Sequence, residues 1–234
     1  MADMRATVLL DLYGTLVEPD WAALLKGRSA LAERAGLPAA AAAHRAWDTT
    51  HTARMTGSYG SLADDLAATF SQAANGSGSP VSPMLLSQLA DGERENWRRG
   101  VRLYPDAVPA LVLLRSSGLR LAIVTNASAE AASVVDGLGL RPMVDDVFAS
   151  CEAGVLKPHL LGVALRKLGV AASDATLVDD EPEQLEDAAG LSIGTILVQR
   201  SGAQAPAAIT PARVVSDLRQ VAGLVVRAEP GRRR

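Results

Sequence analysis

The chain has 234 residues, of which 48% are hydrophobic, and its formal net charge at pH 7 is −3. This length permits a substantial core, while the slightly acidic balance argues against nucleic acid or an anionic membrane as partner. The single cysteine, Cys151, excludes an internal disulfide and favours a reducing compartment, so we expect a cytoplasmic protein. No apolar run reaches the roughly 18 residues of a membrane span, and no signal-type apolar core opens the chain.

The first predicted strand is Thr7–Leu10, a continuous apolar run that ends at Asp11. The Ala-rich residues 17–99 then depart from an α/β alternation. Helical patterns within them cover 21–35, 39–54, 61–74 and 83–97, separated by breaks at 36–38, 57–60 and 75–80. We therefore expect a four-helix insertion, with its interior packed by Trp21, Trp47 and Trp97.

Strand and helix patterns alternate through the rest of the chain. Apolar runs predict further strands over 119–124, 175–178 and 194–198. Helical patterns that each end at a glycine cover 107–116, 129–138, 160–168 and 182–189. Continuous apolar runs are typical of strands buried on both faces, so the elements predict a doubly wound, Rossmann-like α/β core with a parallel sheet. The predicted domains are a core over 1–16 and 100–228, the insertion over 17–99 and a disordered basic tail over 229–234.

Polar side chains follow three of the predicted strands. In chain order they are Asp11, then Thr125 and Asn126, then Asp179 and Asp180. Each alone also fits a turn or helix-cap residue, but the carboxyl ends of parallel strands open onto one crevice. Lys157, in a loop before a helix, supplies one cation for the same rim. The set suits a nucleophilic carboxylate, a divalent cation and an anionic group under attack.

The order and spacing of these residues resemble the haloacid dehalogenase superfamily of aspartate-nucleophile hydrolases. The matching segments are DLYGTL at 11–16, TN at 125–126, KP at 157–158 and VDD at 178–180. The segment 103–126 also resembles the family's sequence leading up to and including its second motif. The insertion over 17–99 lies where the family carries its helical cap of the C1 type, and the resemblance covers nearly the whole chain.

The resemblance implies a role for each matched residue. Asp11 would be the nucleophile, and Thr125 would bind the anionic oxygens of the substrate. Lys157 would hold the nucleophile and the transferred group by charge, while Asn126 supports the substrate-binding loop. The implied metal ligands are Asp11, Asp180, the backbone carbonyl of Tyr13 and, directly or through water, Asp179. Mg²⁺ suits such hard oxygen ligands.

Tyr13 departs from the pattern of the family's phosphatases, which carry a second aspartate two residues after the nucleophile as general acid and base. A phenol with a pKa near 10 is a poor general base at neutral pH. Tyrosine at this position is typical of the family's metal-independent 2-haloacid dehalogenases, in which the halide leaves without needing a proton. Those enzymes, however, carry a tyrosine where this chain has Val163, and Ser and Asn near the position of Asp179 and Asp180.

The dehalogenases also place an arginine at the cap entrance, for which the candidates here are Arg28, Arg34, Arg45 and Arg54. Trp21 and Tyr59 are candidates for lining that entrance. The acidic pair favours a Mg²⁺-dependent phosphohydrolase that acts on a small phosphorylated metabolite through an aspartyl phosphate. The alternatives are a 2-haloacid dehalogenase and a non-catalytic member that binds a phosphorylated ligand. We expect a small-molecule phosphate ester as partner, no nucleic acid, no membrane, and a monomer or homodimer.

Overall fold

The computed structural model describes residues 6–37, 40–73, 81–200 and 213–225, with the backbone alone at 40–43. The predicted break at 75–80 and the predicted tail at 229–234 lie outside these residues. The strands are β1 (Thr7–Leu10), β2 (Val17–Pro19), β3 (Val101–Leu103), β4 (Arg120–Thr125), β5 (Asp146–Ala149), β6 (Ala175–Asp179), β7 (Gly194–Val198) and β8 (Val214–Val215). The helices are α1 (Trp21–Arg34), α2 (Ala40–Met55), α3 (Leu62–Ala73), α4 (Pro83–Gly100), α5 (Ala107–Ser116), α6 (Ala131–Gly137), α7 (Ser150–Ala153), α8 (His159–Leu168), α9 (Pro182–Gly190) and α10 (Arg219–Val225).

Six strands form a parallel sheet in the spatial order β5-β4-β1-β6-β7-β8. Both faces of β1 are covered, because Val8 and Leu10 belong to one buried cluster and Leu9 to another. Helices α5 and α10 contribute to the first cluster, and α8 and α9 to the second. This arrangement confirms the predicted doubly wound α/β fold and explains why the strands read as continuous apolar runs.

Some strands were not predicted from the sequence. β2 and β3 pair antiparallel and flank the helical insertion in the chain. Strand β5 has four residues and begins at the exposed Asp146, while β8 has only two residues. None of these gives an apolar run long enough to stand out from its surroundings. Cys151 lies in the short helix α7, directly after β5.

Helices α1 to α4 occupy the chain between β2 and β3. Asp20 begins α1 by accepting a hydrogen bond from the Ala23 N–H, and Ser82 begins α4 in the same way. The interior contains Trp47 against Phe70, with ring centroids 5.6 Å apart.

The tryptophans only partly match the prediction. Trp47 is buried inside the insertion as predicted, whereas Trp97 is buried in the cluster that includes β1 and α5. Trp21 is 55% exposed, so its prediction as an interior residue was wrong. It lies at the first position of α1 and packs edge-on against Trp97 at 6.2 Å. None of the helices in the described parts of the chain is long and apolar enough to cross a membrane.

Candidate active site

The carboxyl ends of β1, β4 and β6 bring the polar residues of the motifs together. Asp11 directly follows β1, while Thr125 and Asp179 are the last residues of β4 and β6. β1 lies between β4 and β6: the chain continues from β1 to β4 and β5 on one side, and then crosses to β6 on the other side of β1. In open α/β sheets this reversal opens a crevice where ligands bind.

Lys157 ties two of these strand ends together. Its Nζ donates to Asp11 Oδ1 and to Asp179 Oδ2, each at 2.7 Å. Its backbone N–H donates to Asn126 Oδ1 at 2.9 Å, so the side chain of Asn126 positions the lysine loop. Burial acts to lower the pKa of Lys157, but Asp11 and Asp179 raise it above its ordinary value. The lysine is therefore a permanent cation at neutral pH.

Asp11 is buried and has one hydrogen-bonded oxygen, Oδ1, in the described structure. Burial raises the pKa of Asp11 well above its ordinary value, and Asp179 and Asp180 add to this effect while Lys157 opposes it. Like charges at close range disfavour a second ionised carboxylate. One lysine thus offsets the charge of only one of the three neighbouring carboxylates.

Asp180 lies against the loop that follows β1. The Thr15 hydroxyl donates to Asp180 Oδ1 at 3.1 Å. Gly14 has a φ of +84°, and a Cβ at this residue would lie 2.1 Å from Asp180 Oδ2. The glycine is therefore needed both for its backbone conformation and for the close approach of the carboxylate. Burial, with a further contribution from Asp179, raises the pKa of Asp180 to about 6.

The three carboxylates fit a divalent cation. One oxygen from each of Asp11, Asp179 and Asp180 lies within 4.8 Å of the others, and hard oxygen ligands suit Mg²⁺. Asp179 already uses one oxygen for Lys157 and the other for the Glu181 N–H at 2.9 Å. Asp11 and Asp180 therefore retain the greater capacity to hold the ion.

Two hydroxyl groups at the site are buried without a hydrogen-bond partner among the described residues, those of Tyr13 and Thr125. Buried polar groups normally have partners, so both are available to a ligand. The Tyr13 ring packs on Trp97, with centroids 5.2 Å apart. Burial, followed by Glu130 and Asp11, raises the pKa of Tyr13 well above its ordinary value. The phenol is therefore protonated at neutral pH and can donate a hydrogen bond.

The four candidate arginines of the insertion divide into two groups. Arg34 and Arg45 are exposed, whereas Arg54 is buried and Arg28 is nearly so. Arg28 Nε donates to Glu93 Oε1 at 3.1 Å, and its guanidinium lies 5.3 Å from the Trp47 ring centroid and 5.5 Å from that of Trp97. Trp97 also packs on Tyr13, so Arg28, among the four candidate arginines, is connected to the site through one intervening side chain.

The structure assigns positions to residues for which the sequence reasoning gave no role. Gly14 and Thr15 lie inside the first motif, but their contacts with Asp180 depend on the three-dimensional arrangement of the two loops. Arg200 donates through Nη2 to the Thr15 carbonyl at 2.5 Å, although 185 residues separate the two. No motif or spacing in a single sequence points to that contact.

Comparison with known proteins gives matches at the level of family and of fold. A family model for haloacid dehalogenase-like hydrolases matches residues 6–190. A phosphoserine phosphatase from Thermus thermophilus is 34% identical over 128 residues, which cover 53% of this chain and 51% of the relative. A phosphoglycolate phosphatase from Rhodospirillum rubrum is 30% identical over 121 residues, 50% of each chain. The chain thus spans about half the length of these curated relatives.

The similar solved structures include dehalogenases. A 2-haloacid dehalogenase from Pseudomonas syringae pv. Tomato superposes with a TM-score of 0.72 at 23% identity, covering 96% of this chain and all of the other. A predicted phosphoglycolate phosphatase from Haemophilus somnus superposes with a TM-score of 0.63 at 15% identity, covering 96% of this chain and 99% of the other. At these identities the likeness shows the shared fold alone, and one fold hosts several chemistries.

Proposed function

Because the chain belongs to the haloacid dehalogenase-like hydrolases, we propose that it is a Mg²⁺-dependent phosphohydrolase. In this proposal Asp11 is the nucleophile and a small phosphorylated metabolite is the substrate. Helices α1 to α4 act as the cap over the crevice, and the protein works as a monomer or homodimer. The phosphatase names of the curated relatives support the reaction class but not a substrate.

One observation carries the proposal: three carboxylates share a single lysine. Asp11, Asp179 and Asp180 offer oxygens within 4.8 Å of one another, and Lys157 alone among the described residues forms an ion pair with any of them. With all four groups ionised, the cluster carries a charge of −2. A bound Mg²⁺ would balance this charge, polarise the phosphoryl oxygens and lower the cost of ionising Asp11.

The residues of the chain divide the remaining work. Lys157 binds Asp11 Oδ1, which leaves the second oxygen to attack phosphorus as the bond to the leaving group breaks. The unpaired Thr125 hydroxyl donates to a phosphoryl oxygen, and the Lys157 charge stabilises the developing negative charge. The product is an aspartyl phosphate on Asp11, which water then hydrolyses to phosphate and the free carboxylate. Tyr13 can donate a hydrogen bond to the departing oxygen.

A metal-independent 2-haloacid dehalogenase is the second candidate, and Tyr13 is the observation that favours it. In that reaction Asp11 would attack carbon, halide would leave, and water would hydrolyse the resulting ester. Halide departure needs no proton, so a permanently protonated phenol would be no handicap. A non-catalytic ligand-binding member is the third candidate, and it would retain the same phosphate-binding groups.

Hydrolysis of para-nitrophenyl phosphate, measured with Mg²⁺ and with EDTA, tests the proposal. We expect phosphate release that requires Mg²⁺ and is lost in Asp11→Asn, because the amide cannot act as the nucleophile. Asp136→Asn is the matched control, since Asp136 is an exposed residue of α6 paired only with Arg141 among the described residues. Chloride release from 2-chloropropionate is followed in parallel.

The outcomes separate the three candidates. Chloride release unaffected by EDTA, without phosphate release, would replace the proposal by the dehalogenase. If neither product forms and Asp11→Asn binds inorganic phosphate as tightly as the unmodified chain, the protein is a binder.

A further inference from the structure

We propose that Arg200 is a positioning residue for the divalent cation, acting through Thr15 on Asp180. Arg200 lies two residues after β7, outside the motif segments. This inference rests on the proposed function, because it takes Asp180 as a metal ligand. It adds a residue to the site that no matched motif contains.

Arg200 makes three kinds of contact at the carboxyl edge of the sheet. Its Nη1 donates to Asp106 Oδ2 at 2.6 Å, and its Nη2 donates to the Thr15 carbonyl at 2.5 Å. The guanidinium also stacks on the Tyr104 ring, with Cζ 3.9 Å from the centroid. We call Arg200, Tyr104, Asp106 and Thr15 the Arg200 clamp. Planar guanidinium groups are suited to such combined bidentate and stacking contacts, and an ammonium group is not.

The clamp is anchored on both sides. The Asp106 carboxylate also accepts the Leu218 N–H at 2.7 Å, which connects the clamp to the segment before α10. The Tyr104 N–H donates to the Leu16 carbonyl at 3.0 Å, next to Thr15 in the chain. Arg200 thus fixes the loop after β1 to two other segments of the core.

The same loop determines where the Asp180 carboxylate lies. The Thr15 hydroxyl donates to Asp180 Oδ1, and Gly14 lies directly against the same carboxylate. A shift of this loop would therefore move a proposed metal ligand. Because Asp106 pairs with Arg200, the arginine's charge is balanced locally, and its effect on Asp180 is one of position. Groups that orient metal ligands typically change metal affinity by about 10- to 100-fold when removed.

The test is Mg²⁺ binding measured by titration calorimetry on the whole chain, with the metal alone. We expect Arg200→Gln to weaken Mg²⁺ binding by about 10-fold or more. Hydrolysis of para-nitrophenyl phosphate should recover most of its kcat at saturating Mg²⁺, because Arg200 does not touch the reacting atoms. Arg102→Gln is the matched control, because Arg102 forms an exposed ion pair with Glu18. This variant should bind Mg²⁺ with the affinity of the unmodified chain.

Arg200→Lys distinguishes position from charge and serves if the glutamine variant fails to fold. A lysine keeps the charge but cannot bond Asp106 and Thr15 while stacking on Tyr104, so we expect Mg²⁺ binding to stay weak. Normal Mg²⁺ affinity in a folded Arg200 variant would overturn the inference and leave the proposed function intact. An unmodified chain that binds no Mg²⁺ would overturn both, so the two failures are distinguishable.

Discussion

At the scale of single residues, the chemistry of the site depends on how few cations serve its carboxylates. Lys157 bonds both Asp11 and Asp179, and Thr15 supplies one neutral hydrogen bond to Asp180. This shortage of positive charge favours a cation as the ligand that would complete the cluster, because an anionic substrate alone would worsen the imbalance. In the proposed mechanism a divalent cation would therefore bind before or together with the phosphoryl group.

In the proposed phosphohydrolase, Tyr13 limits which leaving groups can depart from the phosphoryl group. Its buried, protonated phenol can offer a hydrogen bond, but it is a weak acid and is unable to accept a proton from water at neutral pH. Alkoxide leaving groups need a proton and phenolates need it far less. We therefore expect hydrolysis of aryl phosphates to exceed that of simple alkyl phosphates.

Replacement of Tyr13 by aspartate should supply the missing acid and base. We expect kcat/KM for an alkyl phosphate to rise about 100-fold relative to that for para-nitrophenyl phosphate, within the range general acid–base groups contribute. Tyr13→Asn matches aspartate in size and removes the same contact with Trp97, so it should give no such gain. Equal turnover of alkyl and aryl phosphates by the unmodified chain would show that another group delivers the proton.

The sequence was sufficient to find the motif residues of the candidate site, including the supporting Asn126, but not Arg200 and Asp106 behind them. Asp11, Asp179 and Asp180 end apolar runs, and parallel strands must bring such ends together. Arg200 and Asp106 carry no comparable signal, because each has the other as a partner together with a backbone group, and all of these partners are distant in the chain. Contacts of this kind depend on the register of several elements at once, which one sequence does not reveal.

At the scale of elements, the insertion meets the core at the end of α2. The Met55 carbonyl accepts a hydrogen bond from the Ser150 hydroxyl at 2.6 Å. Gly57, in the turn that follows, has a φ of +63°, and a Cβ there would lie 1.9 Å from the Cys151 carbonyl oxygen. The turn can approach α7 this closely only because it carries a glycine.

Gly57→Ala should therefore separate the insertion from α7. We expect it to raise KM for para-nitrophenyl phosphate several-fold and to lower the free energy of unfolding by more than the roughly 1 kcal/mol of an alanine at positive φ. Gly36→Ala is the control, because Gly36 has a φ of +75° and a Cβ added there would meet no atom of the described residues within 4 Å. Urea unfolding and steady-state kinetics of both variants measure the difference. An equal effect in the two variants would mean that the contact with Cys151 contributes nothing.

Some helix and strand boundaries are harder to predict from the sequence than others. The C-terminal ends of helices that stop before a glycine of positive φ, such as α8 before Gly169, were predicted to within a residue. The edge strands β5 and β8 were missed because they have only four and two residues, too few to form an apolar run that stands out from its surroundings. Edge strands are short and polar in many sheets, since long apolar edges invite association.

At the scale of the whole molecule, buried acidic groups set how stability depends on pH. Burial raises the pKa of several carboxyls above their ordinary values, including those of Asp11, Glu93 and Asp180. Each of these groups binds protons more tightly in the folded chain than in the unfolded chain. Unfolding free energy should therefore fall as pH rises through the range where they ionise. Without Mg²⁺, these carboxyl groups should make the chain more stable near pH 5 than near pH 7, an effect that the lowered pKa of His51 opposes.

Asp65 of α3 isolates one such contribution away from the proposed metal ligands. Its carboxyl is buried, and neither oxygen has a full hydrogen bond among the described residues. Burial raises the pKa of Asp65 to about 6 from 3.8, against an opposing influence from Arg54 and the nearby Ala129 N–H. Its stabilising contribution is complete below pH 3.8 and is lost as pH rises through about 6. A two-unit shift corresponds to at most about 3 kcal/mol, and residual solvent screening reduces this to about 1 kcal/mol.

Asp65→Asn should therefore stabilise the chain at pH 7 by about 1 kcal/mol and leave it nearly unchanged at pH 4, because asparagine remains neutral throughout. Urea unfolding in EDTA between pH 4 and pH 7.5 measures the difference between the two curves, which cancels the other titrating groups. Asp64→Asn is the control, since Asp64 is exposed and the Ser61 side chain lowers its pKa. A difference that is constant across this range would mean that Asp65 ionises at its ordinary pKa, and that Arg54 compensates its burial in full.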